Sequence, residues 1–68
     1  MKLSQKLQEL NISNGSRHIV LIDSYTGVVF LETIWQNEIP DLYLNMDVVS
    51  MHEKSDYRIH IMLKAEYV

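Results

Sequence analysis

From Tyr57 to Lys64 the chain reads Tyr-Arg-Ile-His-Ile-Met-Leu-Lys, alternating along its whole length. Tyr57, Ile59, Ile61 and Leu63 fall on one side of an extended backbone, and Arg58, His60, Met62 and Lys64 on the other. Successive side chains of a strand point to opposite faces, so a period of two marks a β-strand with one buried face. The remainder of the chain has to supply strands that pair with this one and something that covers its apolar side.

Only 68 residues are available for both tasks, enough for one domain spanning residues 1–68. A chain of this length withdraws only about 60% of its unfolded surface from water, and domains so small commonly need reinforcement. The sequence has no cysteine, which excludes disulfides and thiolate metal sites. Association with another chain is the reinforcement left open. Hydrophobic residues make up 47% of the sequence, a globular rather than a disordered composition. Nine acidic residues outnumber six basic ones, which argues against the clustered positive charge needed to hold a phosphate backbone. No apolar run approaches the ~18 residues of a membrane span, and the N-terminus has no apolar signal-like core. A cytoplasmic protein without membrane contact is the expectation.

In residues 2–10, Leu3, Leu7 and Leu10 lie at i, i+4 and i+7 among Lys, Gln and Glu, one stripe of a short helix. So short a helix is marginal alone in water and must dock its leucines. Asn11 to Ser16 is the clearest break, its Asn, Ser and Gly suited to ending a helix. His18–Asp23 and Val28–Trp35 then read as two strands around an Asp23-to-Gly27 turn. Neither strand alternates: Ile19 and Leu21 are apolar, and so are Val20 and Ile22. A strand apolar on both sides is covered on both sides. Two coverings are open, a partner or second copy of the chain, or the segment 36–46 folding over the second face. That segment contains the only proline, Pro40, and predicts a connection with one or two helical turns.

Asp47 onward pairs with the alternating strand. Centring the loop on Ser55 sets Met51 opposite Ile59 and Val49 opposite Ile61, which keeps apolar residues together. The expected architecture is α+β: a short N-terminal helix packed on a four-stranded antiparallel sheet made of two consecutive β-hairpins. Val49, Met51, Ile59, Ile61 and Leu63 form the inner face, and Val48, Ser50, His52, Arg58, His60 and Met62 the outer one.

Chemistry-bearing constellations are sparse. The two glycines each have a turn to account for them, so no glycine-rich phosphate loop exists. Acid–base or nucleophilic catalysis needs groups converging in a sheltered cleft, which one helix on a small sheet hardly provides; no enzyme activity, cofactor or metal is expected. His52 and His60 lie diagonally on the outer face in this register, two ligands where structural zinc takes four, and His18 joins them only if its strand lies alongside. Two surface histidines on a solvated face account for them as well. The mixed strip of Val48, His52, Arg58, His60 and Met62 suits a protein contact, because methionine adapts to irregular surfaces and aromatic and basic residues are typical of interfaces. An ordinary solvated sheet face is the plainer alternative. Trp35, at the end of its strand, is either a lid on the core or a binding anchor.

The order of features also carries a resemblance. A Leu3/Leu7/Leu10 helix precedes an apolar strand ending in Asp, Ile19–Asp23, and an Asp-x-x-x-Gly turn, Asp23–Gly27. Ile39-Pro40-Asp41-Leu42 follows, then Val48-Val49-Ser50 and the closing strand Tyr57–Lys64. The whole resembles the short accessory proteins carried by phages and conjugative elements of low-GC Gram-positive bacteria. Lys2 departs from the Thr or Ser cap common there, and Lys54-Ser55-Asp56 from the usual glycine turn. The resemblance implies a protein-binding role, regulating, modulating or inhibiting a host or element protein; the doubly apolar first hairpin, in a chain too short to cover both faces of its sheet, adds the expectation of a non-enzymatic, self-associating module, a homodimer. Two other readings stand beside it: a small β domain binding nucleic acid or nucleotides, and an inhibitor of a host defence system such as an anti-CRISPR.

Overall fold

The computed structural model describes residues 1–11, 15–55 and 57–65. Ile12, Ser13 and Asn14 of the expected break, and Asp56 of the expected turn, lie outside the described residues. Helix α1 spans Leu3–Leu10, β1 His18–Asp23, β2 Val29–Thr33, a 3-10 turn η1 Gln36–Glu38, α2 Asp41–Leu44, β3 Asp47–Glu53 and β4 Arg58–Lys64.

The leucine stripe places α1 as its spacing predicts. Leu3 and Leu7 are buried and Leu10 packs at the rim of the core. Gln5 reaches back from the first turn, its Oε1 accepting the Lys2 N–H at 3.0 Å. Asn11 closes the helix in the left-handed region, φ 51 and ψ 43, and its N–H meets the Gln8 carbonyl, a conformation asparagine tolerates better than most residues.

The β1–β2 turn is built by Asp23. Its side chain accepts the Tyr25 N–H and the Thr26 hydroxyl, each at 2.9 Å. Its backbone N–H donates to Val28 and its carbonyl accepts from Gly27, whose φ of +79 suits a residue without a Cβ. Asp23 is 1% exposed, the only buried charged residue among those described.

Four strands form one sheet in the order β2-β1-β4-β3. The two hairpins are antiparallel, but they meet through β1 and β4 running parallel, from His18 beside Arg58 to Asp23 beside Leu63. The sheet is therefore mixed, and the expectation of a purely antiparallel sheet is corrected at this seam. Contacts at both ends fix the direction. His18 N–H donates to the Tyr57 carbonyl at 2.8 Å and Ser24 N–H to the Leu63 carbonyl at 2.9 Å. Arg17, just before β1, reaches the β3–β4 turn, with Nη1 3.5 Å from Glu53 and Nη2 3.3 Å from the Ser55 carbonyl.

The β3–β4 register is also corrected. Met51 faces Ile61 and His52 faces His60, two residues beyond the register centred on Ser55. The Ser55 hydroxyl explains the wider loop: it accepts the Tyr57 and Arg58 N–H groups at 3.2 and 3.0 Å, leaving Lys54 N–H to bond the Arg58 carbonyl. A shift of two keeps every side chain on its face, so the alternating pattern fits either register. A bulge between Val48 and Ser50 alters the faces locally. Val48 packs against the core and Val49 stands 57% exposed, the reverse of the expected placement.

Leu3, Leu7, Ile19, Leu21, Ile39, Ile59, Ile61 and Leu63 form the core. Tyr43, Leu44 and Met46 pack against this same cluster, and Tyr43 stacks on Phe30 with ring centroids 5.4 Å apart. The segment 36–46 therefore joins α1 on one face of the sheet. It does not cross to the other.

Candidate functional site: the open face of the sheet

With both helices on one side, the opposite face is made of what the strands alone present. The pairings lay this face out in two complete rows across the sheet. One row runs Glu32, Val20, His60, His52; the next runs Val29, Ile22, Met62, Ser50. Val20 and Ile22 stand at the centre and are buried, at 3% and 9% exposed. No helix packs over them among the described residues, and their register neighbours on this face are Glu32, His60, Met62 and Val29. Val29, at 47% exposed, extends the apolar strip to the β2 edge.

The parallel seam also gathers the histidines. His18, His52 and His60 all lie on this face: His18 beside Arg58, and His60 between Val20 and His52. His18 Nε2 is 3.7 Å from a Glu32 oxygen, and its ring lies 6.2 Å from that of Tyr57. The His60 imidazole titrates below the ordinary histidine range. Partial burial is the leading cause, with Lys54, Arg58 and His18 acting in the same direction and Glu32 opposing them. At neutral pH His60 is an uncharged, amphipathic side chain at the centre of the strip. Among the described residues no group of three or more His, Asp or Glu side chains is arranged to hold a metal ion.

Of the residues singled out from sequence, His52, His60 and Met62 come together on this face, with Arg58 at its end. Val48 does not belong to it; the bulge turns it into the core. Trp35 leaves β2 before η1, 46% exposed. Its backbone N–H donates to Thr33 Oγ1 at 2.9 Å, and its ring lies so close over Gly15 that a Cβ there would stand 2.7 Å from Cζ3. The ring thus packs on Gly15 rather than on the core cluster. Sequence reasoning missed Val20, Ile22, Val29, Glu32 and His18 as parts of the face. Their signal was the doubly apolar β1, which could be assigned to this surface only once β1 was known to lie beside β4.

Among the described residues, two grooves can be traced on the helical side. One is lined by Ser4, Leu7, Gln8, Asn11, Gln36, Asn37 and Leu44, with no titratable side chain. The other lies beside Lys2, Asp47 and Lys64, where Lys2 and Asp47 pair at 3.3 Å. No described helix is long and apolar enough to cross a membrane.

Fold and face together define a two-layer α+β domain, helices on one side of a four-stranded mixed sheet and an apolar, histidine-bearing face on the other. Comparison of the chain with family models, curated proteins and solved structures found no match.

Proposed function

We propose that this chain is a small, non-enzymatic protein-binding module whose contact surface is the open face of the sheet. The observation that carries the reading is the placement of 36–46 with α1. It leaves no second layer of the described chain on the opposite face, where Val29, 47% exposed, and the half-buried Met62 flank the buried Val20 and Ile22. Apolar strips rimmed by polar groups are what protein partners bury. The polar rim here is His18, Glu32, His52 and Arg58, with His60 presenting an amphipathic ring at the centre.

The nucleic-acid alternative has less support. Lys2, Lys6 and Arg17 are engaged by Asp47, Glu9 and Glu53, and Lys54, Arg58 and Lys64 stand in a chain whose nine acidic residues outnumber its six basic ones, short of the clustered positive charge that a phosphate backbone needs. The resemblance to phage and conjugative-element accessory proteins suits the protein-binding reading, with a host protein as target and inhibition of a defence complex as one form of it. The experiment compares tagged wild-type protein with Met62→Lys on the open face and Gln8→Lys on the helical side, each used to capture proteins from a Gram-positive host extract. A partner retained by wild type and Gln8→Lys but lost by Met62→Lys is expected. Equal capture by all three, with folding intact by circular dichroism, refutes the assignment to this face.

A further inference from the structure

We infer that His52 and His60 form a chelate for a divalent transition-metal ion, an open site with one imidazole from β3, one from β4 and water in the remaining positions. The inference is independent of the protein contact proposed above and stands or falls by its own test.

The corrected register carries it. With the loop centred on Ser55, His52 would face Arg58 and meet His60 only diagonally, across about 7–8 Å. The observed pairing sets His52 directly opposite His60. Facing residues of an antiparallel pair hold their Cβ atoms about 4.5–5.5 Å apart. The ladder frames the two histidines on both sides. Toward the turn the Lys54 N–H donates to the Arg58 carbonyl, and away from it Ser50 pairs with Met62. The bulge lies beyond Ser50, so the pleat at the two histidines is regular. Two nitrogens bound at right angles to one metal, each at about 2.0–2.1 Å, are about 3 Å apart. Imidazoles rooted ~5 Å apart on one face reach that spacing by side-chain rotation alone.

Both rings are available. His52 is exposed and His60 half-buried, and among the described residues neither ring is held in a hydrogen bond or ion pair. A third protein ligand is not in place. Glu32 shares the row but lies two strand spacings, about 10 Å, from His60, and His18 is turned to Glu32 at 3.7 Å. The site is therefore not of the structural zinc kind, which takes four protein ligands. The charges around it are mixed: Lys54 and Arg58 repel a cation from the turn side, and Glu32 attracts it from the other.

Ligand type selects the ion. Imidazole suits copper, nickel and zinc, whereas magnesium and calcium favour oxygen donors. Copper(II) and nickel(II) accept a tetragonal arrangement in which two adjacent positions are nitrogen and the rest water, and copper binds a given nitrogen site more tightly than nickel or zinc. An ion held this way ties the edge strand β3 to its neighbour, so it stabilises the folded chain.

The test is isothermal titration calorimetry of Ni2+ and Cu2+ into the whole chain at pH 7.5, with Mg2+ as control. Wild type is compared with His52→Gln, His60→Gln, the double variant and His18→Gln, and circular dichroism checks that each is folded. Wild type is expected to bind one ion per chain, Cu2+ more tightly than Ni2+, with no Mg2+ uptake. Each single variant of the pair should weaken Ni2+ binding by roughly tenfold or more. The double variant should be within about twofold of the singles, because losing one ligand already destroys a chelate and the effects cannot add. His18→Gln should stay within about twofold of wild type. The melting temperature of wild type should rise with Ni2+, which separates binding to the folded sheet from binding to histidines of the unfolded chain. A wild type that does not take up Ni2+, losses that add across the pair, a His18→Gln effect equal to that of His52→Gln, or a melting temperature that falls with Ni2+ overturns the inference.

Discussion

Replacing Asp23 tests how the first hairpin is held. In the native structure its carboxylate, 1% exposed, accepts the Tyr25 N–H and the Thr26 hydroxyl at 2.9 Å each. Asp23→Ala removes both bonds. A hydrogen bond to a charged acceptor contributes about 1.5–3 kcal/mol when buried. Tyr25 and Thr26 are exposed, so water can take over part of what they lose, and the lower end applies to each bond. The sum is about 2–3 kcal/mol. A 68-residue domain at ~0.05–0.15 kcal/mol per residue has roughly 3–10 kcal/mol in all, so the loss is a large fraction of the total. Asp23→Asn keeps one carbonyl oxygen for the Tyr25 N–H and offers an amide to the Thr26 oxygen, for a cost of about 0.5–1 kcal/mol. Urea denaturation with linear extrapolation measures both, and the melting temperature should fall by about 4–8 °C per kcal/mol. If Asp23→Ala costs under ~0.5 kcal/mol, or Asp23→Asn costs as much as Ala, the turn does not depend on these bonds and the reasoning fails.

The bulge predicts opposite outcomes at neighbouring positions: Val48→Asp should cost more than ~2 kcal/mol by placing a charge against the core, whereas Val49→Asp should stay within ~0.5 kcal/mol; urea midpoints that rank the two the other way refute the assignment of faces. His60 makes stability depend on pH. Its folded-state pKa lies below the ordinary value of 6.5, so between the two the unfolded chain binds more protons and stability falls as pH drops through the histidine range. Titrated melts of wild type and His60→Gln check this: the variant should lose part of the acid sensitivity, and identical slopes would contradict the lowered pKa of His60.

Much of the fold was legible because its signals are local. The leucine stripe gave α1, the Asp23-to-Gly27 turn the first hairpin, and the alternation in 57–64 gave β4 and its inner face. The three misreadings share one cause, that period-two patterning fixes faces and leaves the rest free. It cannot distinguish a register from its neighbour two residues away, so Met51 reads equally well opposite Ile59 or Ile61. It carries no trace of the direction in which two hairpins meet, which here is held by Arg17 reaching Glu53 and Ser55 from far along the chain. It also assumes an unbroken pleat, and two adjacent valines conceal the bulge that exchanges their roles. The candidate face suffered most from the second gap. Half of it, His52, His60 and Met62, was visible from one hairpin. Val20, Ile22 and Glu32 belonged to another hairpin, whose position only the parallel seam reveals.

That seam bears on how the molecule comes to be made. β4 is a central strand of the sheet, yet it follows every other described element in the sequence. On the ribosome, β1 and β2 can close their hairpin early, but Val20 and Ile22 on one side and Ile19 and Leu21 on the other lack their permanent neighbour until Lys64 has emerged. α1 is likewise idle until Met46 and Val48 arrive to bond Leu3 and Met1. The doubly apolar segment thus has one flank unmatched until β4 has been made, a window in which unfinished chains pair with one another or are held by chaperones. Loss of β4 would take out a central strand, depriving the sheet of its middle rather than of an edge.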